Sequence, residues 1–224
     1  MIFNNVDPTD MGAGVVLFKN AIDFDWHYIY NMSIDLIDQE YKEMYTLTSD
    51  PETKEEIYLN RTGYLFPKDS INIVPKRASR IHQNKNSDIR TVFNFIENCK
   101  DKYLLKYFEK YPLAYNCVWW KVKGHLICYG PGGRLGPHSD QSLDYVYGVH
   151  KTKLELGVRS TVTCLVYLNS SVENQQDDEL GYTGGNHHFN YLNITHKPVR
   201  GDIIMFPSNY VAAHEVLPIH SGLR

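Results

Sequence analysis

Cysteine is scarce: Cys99, Cys117, Cys128 and Cys164 are all the chain has, widely spaced and with no CxxC pair. They give no disulfide framework and are expected to be free thiols in a reducing compartment. The start, MIFNNVDPTDMGAG, has no basic region followed by an apolar run, so it is not read as a secretory signal. No stretch approaches the roughly 20 consecutive apolar residues of a membrane-spanning helix. An excess of charge is missing too. Lys and Arg number 23 against 26 Asp and Glu, a net charge of −3, which implies no polyanionic partner. Internal repeats, low-complexity blocks and Gly/Ser linkers are also absent. The expectation is a cytoplasmic chain with neither a nucleic acid nor a membrane as partner. The sequons at Asn31, Asn60, Asn169 and Asn193 then read as chance products of an Asn-rich composition.

What is present suits one domain: 224 residues, 42% hydrophobic and 22% charged. Its character changes near residue 115. Before that point, Trp26, Ile29, Tyr30, Leu36 and Ile37 share a helical face, interrupted at Ser33, after Asp23 as a candidate N-cap. Val92, Phe93, Phe95, Ile96, Leu104, Leu105 and Phe108 predict one or two further amphipathic helices. GVVLF (residues 14–18) reads as a strand joining a sheet edge, and residues 50–90 as an ordered loop with short elements. After residue 115 the runs VWWKVKGHLICYG, STVTCLVYLN, GNHHFNYLN and GDIIMFPS are short, β-branched and aromatic, and bounded by turn residues. The predicted class is α+β. A jelly-roll core over 115–224 is backed by a supporting region, 1–114, of the same domain.

The triplet His138-Ser139-Asp140 and a lone downstream His214 carry the chemical signal. Residues i and i+2 of a strand face the same way, so the His138 and Asp140 side chains can reach one metal. Two imidazoles and a carboxylate can occupy one face of an octahedral Fe(II) and leave the opposite face open. Arg224, just beyond the second histidine, could hold the far carboxylate of a dicarboxylic co-substrate by a charge-assisted fork. An HxD triplet alone is a common pattern, and the 10 histidines offer many partners. His187 and His188 are adjacent on a strand, so one faces inward and one outward. His125, His150, His196 and His220 have no supporting context.

The flanking residues add weight. HEVLPIHSGLR (residues 214–224) resembles the HxVxPVxxGxR segment of the prolyl 4-hydroxylase-like 2-oxoglutarate/Fe(II) dioxygenases. GDIIMFPS resembles the strand leading into that histidine, and YGPGGRLGPHSD the family's YxxGxxYxxHxD stretch. STVTCLVYLN resembles the strand that bears a pocket tyrosine, and TGGNHHF stands where the family has GGxLxF. The matches come in family order and cover roughly residues 115–224. The resemblance implies a double-stranded β-helix, or jelly roll, with Fe(II) held by His138, Asp140 and His214. It implies Arg224 at the 2-oxoglutarate C5 carboxylate, Tyr167 as its hydrogen-bond partner and Tyr129 lining the co-substrate pocket. Thr163 precedes Tyr167 by four residues and shares its strand face, so it too is expected to line that pocket.

The implied activity is hydroxylation of a C–H bond with O₂, releasing succinate and CO₂, with ascorbate as a possible accessory. Related halogenases lack the carboxylate ligand, so Asp140 favours hydroxylation. Motif by motif, the substrate is a prolyl residue in a peptide or protein; a free amino acid or other small molecule is the alternative. A non-catalytic jelly-roll binding module is the reading from another class. Arg134, Tyr145 and Tyr147 are candidate substrate contacts, and residues 141–158 and 171–183 candidate lids. The chain departs from the family pattern in three places. Leu135 replaces a tyrosine, Asn186-His187-His188 puts polar residues where an apolar one is expected, and the match ends at Arg224, where relatives continue the strand.

Overall fold

The computed structural model describes residues 1–47, 76–78, 84–118, 121, 124–141, 143–145 and 157–224. Its centre is a four-stranded antiparallel sheet in the order Val162–Val166, Ile203–Pro207, Val15–Phe18, Thr9–Gly12. Val15, Val16, Leu17 and Phe18 are all buried, which a continuous apolar run requires when both faces of its strand are covered. The strand is therefore internal and not at the edge; among the described residues, Thr9–Gly12 takes that place.

Alternation sorts the sheet's side chains onto two faces. Val16, Phe18, Ile203 and Met205 pack on the helices, while Val15, Leu17, Ile204 and Phe206 pack inward with Phe189 and Tyr167. Phe189 belongs to a second antiparallel sheet, ordered Ile194–His196, His187–Phe189, His214–Val216, Leu135–His138. Its ring meets Phe206 edge-on at 5.0 Å and joins the two sheets. Two facing antiparallel sheets with helices behind one of them give the predicted α+β jelly roll.

Two helices cover the outer face. Helix α1, Trp26–Leu47, buries Ile29, Met32, Leu36 and Ile37. The Asp25 carboxylate accepts from the Tyr28 N–H at 3.1 Å at the helix start, so the cap falls two residues after the expected Asp23. Asp23 instead accepts from the Phe24 N–H and the Trp26 indole, both at 2.9 Å. Helix α2, Ser87–Lys110, is one continuous helix, capped by Asn86 through the Asp88 and Ile89 N–H groups. Its buried line is Val92, Ile96, Cys99, Tyr103 and Tyr107, the i+3/i+4 spacing of one helical face. Leu105 lies off that line and is 60% exposed, contrary to expectation. The tyrosines set the helix rotation: the Tyr107 hydroxyl donates to the Gly14 carbonyl at 3.0 Å and that of Tyr103 to the Ala21 carbonyl at 3.1 Å.

Most of residues 50–90 lie outside the described residues; within them, Lys76–Ala78 pairs antiparallel with Leu126–Cys128. Of the first candidate lid, 141–158, the described part includes a strand Leu143–Tyr145 paired with Gly157–Arg159. The second, 171–183, is tied into a sheet at both ends. Ser171–Val172 runs parallel to Tyr182–Gly184, which pairs with Ile219–Ser221, and Arg200 grips Asp178 at 3.0 Å.

Candidate metal centre

His138 ends the strand Leu135–His138 and sits in register opposite His214, the first residue of His214–Val216. Asp140 is not on the strand, as its i+2 spacing predicts, but in the bend that follows it. Its two oxygens nevertheless reach both rings. Oδ1 lies 3.5 Å from His138 Nε2, and Oδ2 lies 3.7 Å from His214 Nε2. One donor atom from each of the three residues falls within 4.8 Å of the others, a set that could hold a metal ion.

The hydrogen bonds behind these side chains suit a metal. His138 Nδ1 donates to the Gly136 carbonyl at 2.8 Å, and His214 Nδ1 to the Ala212 carbonyl at 3.1 Å. Each bond fixes the tautomer that leaves Nε2 as a bare lone pair beside the carboxylate. Burial lowers the pKa of His214, with Asp140 opposing and His138 adding to the shift, which favours the neutral ring. Asp140 is oriented in turn: Thr163 Oγ1 donates to its Oδ2 at 2.8 Å and shares a 2.8 Å hydrogen bond with Ser208. Thr163 lines the cavity as expected, but its hydroxyl is engaged with the carboxylate.

A cavity of about 850 Å³ joins the triad to Tyr129, Tyr167, His187 and Arg224 and runs on among apolar residues of α1 and α2. Arg224 is held by a reciprocal backbone pair with Tyr129, at 2.8 and 2.9 Å. Its guanidinium carbon lies 5.3 Å from the Tyr129 ring centre and 5.8 Å from that of Tyr167. Burial would lower the Arg224 pKa, but the phenols of Tyr182, Tyr167 and Tyr129 hold it above its usual value. Burial drives the Tyr167 hydroxyl strongly up, with Arg224 opposing, so it remains protonated. Arg224 Nε is shut off from solvent and has no hydrogen-bond partner, as expected of a cation whose anionic ligand comes from outside the chain.

Three residues near this end were passed over in the sequence. Tyr182, fully buried, interacts with the guanidinium. His187, also fully buried, meets the Tyr167 hydroxyl through Nδ1 at 2.9 Å. His196 is buried beside the Tyr167 ring, with Asp202 3.8 Å away, and burial depresses its pKa to about 4. The available signal was the polar insertion in the GGNHHF segment: His187 faces in, and His188 bonds Thr195 on the outer side. Among the predicted substrate contacts, Arg134 is half-buried and not part of the cavity wall. The Tyr145 side chain and Tyr147 lie outside the described residues.

Residues 124–224 match the model of the 2OG-Fe(II) oxygenase superfamily. No curated protein matches the chain by sequence. A prolyl hydroxylase from Trichoplax adhaerens, solved with a hypoxia inducible factor oxygen degradation domain peptide fragment, is similar with a TM-score of 0.52. It is 17% identical over 93% of this chain and 79% of its own. The viral collagen prolyl hydroxylase of Paramecium Bursaria Chlorella virus-1 is 19% identical over 67% of this chain and 74% of its own, with a TM-score of 0.45. A Pseudomonas putida prolyl-4-hydroxylase is also 19% identical, over 85% and 82%, with a TM-score of 0.42. Residues 124–224, a little under half of the chain, are thus similar to the 2OG-Fe(II) oxygenase superfamily, and the triad and Arg224 both lie within that stretch.

Proposed function

We propose that this dioxygenase hydroxylates prolyl residues in a peptide or protein, with His138, Asp140 and His214 as its Fe(II) ligands. One observation carries the reading. Two Nε2 lone pairs and a carboxylate converge on a cavity that the buried Arg224 also lines. That arrangement suits a 2-oxo dicarboxylate, with one end at the metal and the far carboxylate at Arg224. Iron with 2-oxoglutarate and O₂ supplies the chemistry, in which one oxygen atom ends in succinate, released with CO₂, and the other in the substrate hydroxyl.

The chain's own residues bind and orient. The Gly136 and Ala212 carbonyls hold both imidazoles as Nε2 donors, and Thr163 aims the carboxylate. Tyr129, Tyr167 and Tyr182 surround Arg224 with rings that exclude water, which strengthens its pairing with a carboxylate. The preference for prolyl peptides is supported by the motif resemblance and by the kind of protein that shares the fold. Ascorbate would serve to keep iron in the Fe(II) state.

The test has two parts. Succinate formation from 2-oxoglutarate should require Fe(II) and disappear in His138→Ala and Asp140→Ala. Prolyl peptides should gain the mass of one oxygen, while free amino acids are left unchanged. Failure of the purified protein to bind either Fe(II) or 2-oxoglutarate removes the enzymatic reading, and oxidation of free amino acids alone replaces the peptide substrate.

A further inference from the structure

We infer that His187 is a third anchor for the 2-oxo dicarboxylate, donating its Nε2 proton to the far carboxylate held by Arg224. The inference rests on the co-substrate reading above. His187 is fully buried and lines the cavity between the metal triad and the guanidinium. Its ring is wedged 4.7 Å from Phe189, stacked, and 4.8 Å from His214, so it cannot turn away.

The proton count follows from its neighbours. Arg224 carries only donors, and its guanidinium carbon lies 5.8 Å from the Tyr167 ring centre, so the Tyr167 oxygen can meet it only as an acceptor. The Tyr167 O–H is then free to donate to His187 Nδ1, 2.9 Å away. A neutral imidazole that accepts at Nδ1 carries its proton on Nε2. That Nε2 is buried and has no hydrogen-bond partner. An orphan donor in such a site destabilises the protein, a penalty that an incoming acceptor removes. The matching orphan is Arg224 Nε, on the same cavity. Two unpartnered donors on residues lining one cavity call for an anion with more than one acceptor oxygen, which a carboxylate is. His187 is not a fourth metal ligand, since the convergent donor set comprises His138, Asp140 and His214 alone among the described residues. Its place in the GGNHHF segment also explains why a polar residue stands at a position expected to be apolar.

The experiment is calorimetric titration of the Mn(II)-loaded protein with 2-oxoglutarate and with 2-oxovalerate, which lacks the far carboxylate. His187→Leu should weaken 2-oxoglutarate binding about tenfold or more, as loss of a bond to a charged group does. His187→Gln, which keeps a donor, should recover much of that loss. Affinity for Mn(II), and for 2-oxovalerate, should be unchanged in both. His187→Met is the second apolar variant if the leucine variant does not fold. Undiminished 2-oxoglutarate binding in the apolar variant, or an equal loss with 2-oxovalerate, overturns the role of His187 and leaves the function reading intact. Absence of 2-oxoglutarate binding by the unaltered protein overturns both.

Discussion

His138 and His214 face each other across two antiparallel strands with ring centres 4.4 Å apart, and each donates its Nδ1 proton to the carbonyl two residues before it. The local backbone thus sets both tautomers before any ion arrives. Asp140 completes the set from the bend beyond the strand.

Loss of any one donor should therefore be severe. Partners behind a metal ligand are already worth about 10- to 100-fold in affinity, so a ligand itself should cost at least about a hundredfold. His214→Ala is expected to lower Mn(II) affinity by that factor, measured by calorimetry, while the fold is retained. A loss of less than tenfold would mean that the ion sits elsewhere.

Thr163→Val keeps the shape of the side chain and removes the O–H that holds Asp140 Oδ2. Metal affinity should fall about tenfold. Thr163→Ser should restore it, because the same hydroxyl returns. Equal affinities in the Val variant and the unaltered protein would reduce the Thr163 hydroxyl to a sheet contact with Ser208.

Gly185 has a φ of +63°, and a Cβ there would lie 2.5 Å from Ile219 Cδ1, 2.8 Å from the Tyr182 ring and 3.1 Å from Arg224 Cδ. Gly185→Ala should cost about 1–2 kcal/mol for the left-handed backbone alone, with further loss from displacement of Arg224 and Tyr182. Chemical denaturation reads the stability, and 2-oxoglutarate titration the second effect. Unchanged 2-oxoglutarate affinity would separate the glycine from the anchor.

His196 supplies a pH dependence of stability. It titrates near 6.5 when unfolded but near about 4 when folded, because burial first and Arg224 next disfavour its charge. Between those values the unfolded chain binds more protons, so stability rises with pH. The contribution is complete above about 6.5 and is lost as pH falls towards about 4, a span worth about 3 kcal/mol. Burial raises the Asp202 carboxyl, which acts in the opposite sense at the acid end. His196→Gln should flatten the denaturation midpoint across this window; an unaltered slope would assign it to other groups.

Much of this was legible in the sequence, for physical reasons. The all-apolar run Val15–Phe18 announces a strand, though not its internal place in the sheet, and the HxD triplet with a distant histidine marks three residues that could hold a metal ion. What misled was periodicity read without partners. Leu105 fits an apolar pattern, but Tyr103 and Tyr107 reach backbone carbonyls on the sheet and rotate the helix their way. Asp23 is a good N-cap residue, yet the Trp26 indole engages it and Asp25 caps instead. Thr163 shares a strand face with Tyr167, but that face runs from the metal end to the anchor end, and its hydroxyl meets Asp140 first.

The sequence alone determined the kinds of group available: imidazoles, carboxylate and guanidinium, on strands short enough to close a jelly roll. Those properties are local, set by residue type and by the two-residue period of a strand. Only the tertiary structure decided which histidine is which. His138, His187, His196 and His214 are alike as residues. Sheet register brings His138 opposite His214, and burial between two sheets leaves His187 with one bonded and one orphan nitrogen. Long-range strand pairing and desolvation are properties of the assembled chain, and no short window of sequence contains them.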